Sequence, residues 1–237
     1  MANDTPLLAV LIDADNTSYK HAKAIFDEIA GFGEASVRRI YGDFSSSHMK
    51  GWSNVQADFG IVPHHQPANT VGKNASDIAL VIDAMDLMHS ARFDGFVLVS
   101  SDSDFTRLAS RIREQGLDVY GIGQQKTPDA FRKACKRFIF VENILPVEDG
   151  PKTSASEMVD KQPMTAARDL IFRAMEAIEQ EDDWYSLGQI GQYITAANPD
   201  FDTRTFGKRK LSDLVQSLKM LEVKRGAGNQ LLVRRLD

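Results

Sequence analysis

Two apolar runs in this sequence end in clustered aspartates. Leu7 to Ile12 is wholly apolar and leads into Asp13, Asp15 and Asn16. The run Phe96 to Ser100, FVLVS, leads into Asp102 and Asp104. A short continuous apolar run reads as a strand buried on both faces, so each acidic group falls at a strand's C-terminal end, where open α/β sheets build their sites. Asp77 opens a third segment, just after Asn74. Gathered together, Asp13, Asp77, Asp102 and Asp104 would repel one another, and burial would raise their pKa values further. A divalent cation removes that cost. Oxygen ligands without His or Cys point to Mg²⁺ or Mn²⁺, and such an ion can activate a water and neutralise charge during phosphodiester hydrolysis.

Each member of the set also has a plainer explanation. Asp77 suits a helix N-terminus as an acidic residue, and Asp104 suits a cap for the following helix. Lys73 can neutralise a phosphate or simply be a solvated loop residue. Asp43 fits strand-end turn chemistry. His64 and His65 read as structural or exposed, and Asp83 as a buried hydrogen-bonding group on another face of its helix. Asp13-Ala14-Asp15-Asn16-Thr17 also fits DxDxT, a phosphatase motif in which Asp13 is the nucleophile, Asp15 the general acid and Asp102 a late metal ligand. No GxxxxGK[ST] is present, which argues against a P-loop, and Gly121-Ile122-Gly123 lacks the rest of a dinucleotide fingerprint.

The elements that must position these residues follow from periodicity. Helices are expected over Tyr19–Ala30, Met49–Phe59 and Ala75–His89, the last apolar nearly all round and so packed deeply on a sheet. Another starts right after Asp104, with Phe105, Leu108, Ala109 and Ile112 at i, i+3, i+4 and i+7. A short one begins with Pro128 at its first position. Further strands are expected over Ala35–Tyr41, Gly60–His64, Leu117–Ile122 and Phe138–Val141, with a loop over Gln66–Lys73. Alternation of strand and helix predicts a mainly parallel sheet with right-handed crossovers, in the order 3-2-1-4-5. Asp13 and Asp102 then lie on neighbouring strands about 4.8 Å apart.

Past Phe140 the composition changes. Residues 146–164 are polar and rich in Pro, Gly and Ser, a linker. Beyond it Thr165 can cap a helix, Ser186-Leu187-Gly188-Gln189 has the form of a capping box, and Thr203 can cap a third helix. Glu222–Arg225, a glycine-rich turn and Gln230–Arg234 read as a hairpin. Three helices and a hairpin suggest a winged helix. The expected domains are therefore 1–145, α/β, and 165–237. The net charge of −5 does not advertise nucleic-acid binding. The end of the chain is locally basic, however, and Lys208, Arg209, Lys210, Lys224 and Arg225 can meet a phosphate backbone or form a solvated face.

The motifs IDADN at 12–16, YGD at 41–43, GKNASDIALVIDAMD at 72–86 and SSDSDF at 100–105 resemble the bacterial LabA-like NYN domain, a PIN-like nuclease fold of three α/β/α layers. The resemblance covers about residues 7–142. It implies a metal-dependent ribonuclease, hydrolysing RNA with a metal-activated water and leaving a 5′-phosphate. Asp13, Asn16, Asp77, Asp102 and Asp104 match its acidic site. Some members of the family have a regulatory rather than catalytic role, which leaves a non-catalytic RNA- or protein-binding regulator open. Residues 165–235 resemble an OST-HTH/LOTUS winged helix, through Ser186–Ile194, Pro199–Phe201 and Phe206 to Leu214. That resemblance implies binding of RNA or of a protein partner, and PIN-like relatives leave a homodimer open.

The single cysteine, Cys135, excludes an internal disulfide framework and fits a reducing cytoplasm. The opening MANDTP has neither a basic region nor a long apolar core, so no signal peptide is expected. No apolar run reaches membrane-spanning length, and no membrane partner is expected.

Overall fold

The structure is a computed structural model and describes residues 5–45, 49–66, 75–146, 161–180 and 182–236. The chain forms two compact units, Met1–Asp149 and Gly150–Asp237. Among the described residues no helix is long and apolar enough to cross a membrane.

In the first unit six parallel strands form one sheet: β1 (Leu7–Asp13), β2 (Glu34–Gly42), β3 (Val62–His65), β4 (Gly95–Val99), β5 (Asp118–Gly123) and β6 (Arg137–Phe140). Their order is β3-β2-β1-β4-β5-β6, the expected arrangement with one more strand at the edge. Between them run α1 (Ala22–Ile29), α2 (Lys50–Phe59), α3 (Ala75–His89), α4 (Thr106–Glu114) and α5 (Asp129–Ala134), and α6 (Val141–Ile144) follows β6.

Successive residues of β1 point to opposite faces. Leu8, Val10 and Ile12 therefore join α1, α2 and α6 in one core, with Ile25, Trp52 and Val141. Ala9 and Leu11 join α3, α4 and α5 in the other, with Leu80, Phe105 and Phe131. This is a three-layer α/β/α fold. The carboxyl ends of β1 and β4 are adjacent at the point where the strand order reverses. Their register pairs Ile12 with Val99, so Asp13 emerges beside Ser100.

The apolar helix α3 is not buried all round. Leu80, Ala84 and Met88 form its buried stripe, while Ile78 and Ile82 are 60% and 58% exposed. One face of α3 lies on the sheet, and residues two positions out of phase with the buried stripe turn outward. Other local expectations are corrected too. Pro128 is the N-cap of α5, in extended conformation, rather than its first residue. Val141 leaves β6 and starts α6.

In the second unit α7 (Met164–Ala177), α8 (Leu187–Ala197) and α9 (Leu211–Gln216) pack on a small antiparallel sheet. Its strands are β7 (Tyr185–Ser186), β8 (Leu221–Arg225) and β9 (Leu231–Arg235), ordered β7-β9-β8. Ile171, Ile190, Ile194, Val215 and Val233 fill the core of this winged-helix arrangement. Pro163, not Thr165, is the N-cap of α7. The Ser186 side chain makes no capping bond; its hydroxyl accepts from the Gln230 amide at 2.6 Å. Asp202, not Thr203, caps the third helical segment, its carboxylate accepting the Arg204 N–H at 2.8 Å. That segment is a single 3₁₀ turn ended by Gly207 at φ 72°, so α9 begins separately at Leu211.

Gly123 ends β5 against the end of β4. A Cβ there would lie 2.5 Å from the Ser100 carbonyl oxygen, closer than two such atoms can approach. Gly123→Ala is expected to lower the unfolding free energy by about 1–3 kcal/mol, read from urea denaturation; an unchanged midpoint would contradict this tight spacing of β4 and β5.

Candidate active site

Asp13 forms the floor of the site. It is the last residue of β1 and only 1% exposed. Four donors converge on its carboxylate. The Ser100 hydroxyl and the Asn16 side-chain amide donate to Oδ2 at 2.6 and 2.8 Å. The backbone N–H groups of Asp15 and Asn16 donate to Oδ1 at 3.2 and 3.3 Å. Burial raises the Asp13 carboxyl above its usual range, and the bonds from Ser100 and Asn16 pull it part-way back.

Ser100 joins the two strand ends. Its hydroxyl oxygen accepts the Asp102 N–H at 3.0 Å, which leaves the hydroxyl proton for Asp13. Asp102 caps the 3₁₀ turn Ser103–Phe105 ahead of α4, accepting the Asp104 N–H at 2.9 Å. The whole acidic turn thus hangs from a serine that is 2% exposed. Sequence reasoning assigned Ser100 no role. The signal was present in the strand register, since the residue after Val99 must adjoin Asp13.

The segment after β1 is held from three sides. Ala14 N–H donates to the Tyr41 carbonyl at 2.9 Å. The Thr17 hydroxyl reaches the Val99 carbonyl at 3.4 Å. The Trp52 indole N–H donates to the Thr17 carbonyl at 3.1 Å. From α3, the Ser76 hydroxyl donates to Asp15 Oδ2 at 2.9 Å. These contacts bring the first turn of α3, and Asp77 with it, to the same end of the sheet.

Asp77 registers the convergence. Burial, and then the charges of Asp13, Asp102, Asp15 and Asp104, push its carboxyl from 3.8 up to about 6. The four aspartates singled out by spacing therefore share one electrostatic neighbourhood, with Asn16 bonded to Asp13 at its centre. The side chains do not form a closed cage: among the described residues no three His, Cys, Asp or Glu are gathered tightly enough to hold an ion alone. A hard cation that keeps several waters and takes only a few protein oxygens suits such an open set.

Other candidates lie elsewhere. Asp83 receives the Arg39 guanidinium and the Tyr41 hydroxyl. Asp43 accepts from Ser45 in a turn. The His64 ring lies tilted against Tyr41 with centroids 5.0 Å apart, and burial lowers its pKa. Lys73 lies outside the described residues. Asp13, the nucleophile of the phosphatase scheme, is buried, with hydrogen bonds to both of its carboxylate oxygens.

In the second unit Lys208, Arg209 and Lys210 span the link between Gly207 and α9, with Arg209 and Lys210 exposed. Lys224 and Arg225 are exposed at the end of β8. The Lys224 ammonium sits 3.7 Å above the Trp184 ring, and Arg234 stacks on the same ring at 4.9 Å. Arg225 donates to Asn229 in the turn.

The family model for the NYN domain matches residues 7–144, more than half of the chain. The chain belongs to the NYN domain family. This is a PIN-like nuclease family, and its members generally use divalent metals. An OST-HTH/LOTUS domain follows at residues 156–233, of a kind that binds RNA. Two solved structures are similar. One is a crystal structure of a protein of unknown function from Vibrio parahaemolyticus RIMD 2210633, 19% identical, covering 58% of this chain and 94% of its own, with a TM-score of 0.48. The other is a solution NMR structure of an uncharacterized protein from Nitrosomonas europaea, 26% identical, covering 39% of this chain and 92% of its own, with a TM-score of 0.29. No curated protein matches the chain.

The raised Asp77 carboxyl makes stability depend on pH. The unfolded chain loses this proton near 3.8, the folded NYN domain near 6. Between those values the folded state binds more protons, so the contribution is present below pH 3.8 and lost as pH rises to 6. In EDTA at pH 7.5, Asp77→Asn should therefore stabilise the protein by about 1–2 kcal/mol, after discounting for solvent screening, with little effect at pH 4. Thermal melts at the two pH values check this; equal effects at both would contradict the shared charge.

Proposed function

We propose that this chain is a metal-dependent endoribonuclease whose NYN domain cleaves RNA phosphodiesters and whose OST-HTH/LOTUS domain recruits the RNA. The observation that carries the reading is the convergence of Asp77, Asp102, Asp104 and Asp15 around the buried Asp13 where the strand order reverses. Their donor atoms are all hard oxygens, which fit Mg²⁺ or Mn²⁺. Asp13, Asp77, Asp102 and Asp104 would hold the ion; when bound it supplies a polarised phosphoryl oxygen and a water of lowered pKa.

The chain's own groups do the rest. Ser100 and Asn16 fix the orientation of Asp13 through hydrogen bonds to its Oδ2, which prevents the floor of the site from rearranging as phosphate arrives. Asp104, exposed on the rim, would help either through the ion or by accepting the proton of the attacking water. Asp102 is held by its capping bond to Asp104 N–H. Exposed Arg209, Lys210, Lys224 and Arg225, with half-buried Lys208, would supply the second domain's cations for the phosphate backbone. Cys135 is buried, and burial pushes its thiol up to about 12, which leaves it an inert group.

The test is cleavage of mixed single-stranded and structured RNAs in Mn²⁺, Mg²⁺ or EDTA. Asp13→Asn and Asp102→Asn variants run alongside. Cleavage should vanish in EDTA and fall at least about a hundredfold in each variant. Cleavage that survives both substitutions would place the chemistry elsewhere. RNA binding by a folded chain that cleaves in no metal would favour a regulator.

A further inference from the structure

Two hollows flank the carboxylates, one in each helical layer. The first, of about 430 Å³, is lined on the α1/α2 side by Asp15, Asn16, Tyr19 and Trp52, and closed by Gln124 and Lys126 beyond β5. The second, of about 220 Å³, lies on the α3/α4 side between Asp77 and Asp104, on Ile78, Val81, Ile82 and Phe105. Asp15 and Asn16 border one, Asp77 and Asp104 the other, so the acidic cluster lies between them.

The first hollow is a built structure. Lys126 is exposed, and among the described residues it is the one cation lining either hollow. Its loop is pinned. Gln124 N–H donates to the Ser101 hydroxyl at 2.9 Å, Gln125 N–H to Glu142 at 3.0 Å, and the Thr127 hydroxyl to the Gln124 carbonyl at 2.6 Å. Tyr19 is 37% exposed, and its ring packs on Gly51, where a Cβ would come within 2.1 Å of it. A cation carried on a pinned loop and an aromatic ring packed on Gly51 thus line the same hollow as Asp15 and Asn16. The second hollow has the opposite character. Ile78 and Ile82 expose more than half their surface directly beside Asp77. Apolar carbon next to carboxylates offers nothing to a phosphate and suits the face of an unpaired base.

We propose that the NYN domain holds a single RNA strand across its carboxylates, with the phosphate of one nucleotide on Lys126, its base against Tyr19, and the base beyond the scissile phosphate on the Ile78–Ile82 ledge. This rests on the nuclease reading above. Duplex RNA fits neither hollow, because its bases are paired and stacked. Stacking on side chains tolerates every base, so the track selects for strandedness rather than sequence.

The test uses the full chain, a short single-stranded RNA carrying 4-thiouridine, and the same strand in a perfect duplex. Single strand should be cleaved and duplex spared. Lys126→Ala should raise KM about two- to fivefold, as expected for one partly screened charge contact, with a smaller change in kcat. The salt dependence of KM should weaken by roughly 0.7 in log–log slope. Gly51→Ala, which displaces the Tyr19 ring, should also raise KM. Crosslinks should map to peptides containing Tyr19 or Ile78–Ile82, a readout that needs no turnover. If no RNA is cleaved in any metal but these crosslinks form, the nuclease reading fails and the track stands. If single strand is cleaved while Lys126→Ala leaves KM unchanged and crosslinks map only to residues 156–233, the track is overturned and the nuclease stands.

Discussion

A carboxyl group buried at the junction of two strands is the constraint on which the first domain depends. Burying an unpaired charge is costly, and a buried carboxylate survives only with its oxygens satisfied. Asp13 meets that condition with bonds from Ser100, Asn16 and two backbone N–H groups. Each donor comes from a place that the fold must deliver. The tight turn after β1 supplies the N–H groups and the asparagine. The parallel pairing of β1 with β4 supplies the serine. Because the serine also accepts from Asp102 N–H, satisfying Asp13 fixes the start of the second acidic turn at the same time.

From that anchor the electrostatics follow. Once Asp13 is held, the first turn of α3 and the turn before α4 add carboxylates to a neighbourhood already negative. Asp77 absorbs the consequence by holding its proton to about 6. Without a cation such a cluster opposes folding at neutral pH; with one, the same repulsion becomes affinity for the ion. The two helical layers differ in what they present to this edge. The α1/α2 layer offers an aromatic ring and, with the β5 loop, a cation, while the α3 layer offers aliphatic surface.

Much of this was legible in residue order. Fully buried parallel strands carry unbroken apolar runs, so β1 and β4 could be placed from Leu7–Ile12 and Phe96–Ser100, and their aspartates with them. The alternation of strands and helices pointed to a parallel sheet, and the order expected for its first five strands is the one observed. Less legible was anything that depends on competition between local groups. Thr203 and Asp202 are both plausible caps, and the carboxylate won. Ser186 had the form of a capping box but gave its hydroxyl to Gln230, a partner distant in sequence. The two-residue strand β7 carries too little periodicity to announce itself. In α3 the apolar residues encircle the helix, so the pattern could not say that Ile78 and Ile82 face outward; only the packing of one face on the sheet decides that.

The central claim is that these carboxylates form one divalent-cation site. The most direct measurement is Mn²⁺ binding to metal-free full-length protein, followed by electron paramagnetic resonance as free Mn²⁺ signal is lost. The account predicts saturable binding that Mg²⁺ displaces and that both Asp13→Asn and Asp77→Asn weaken at least about tenfold. Mn²⁺ binding unchanged in both variants, or no binding at millimolar Mn²⁺, would contradict it.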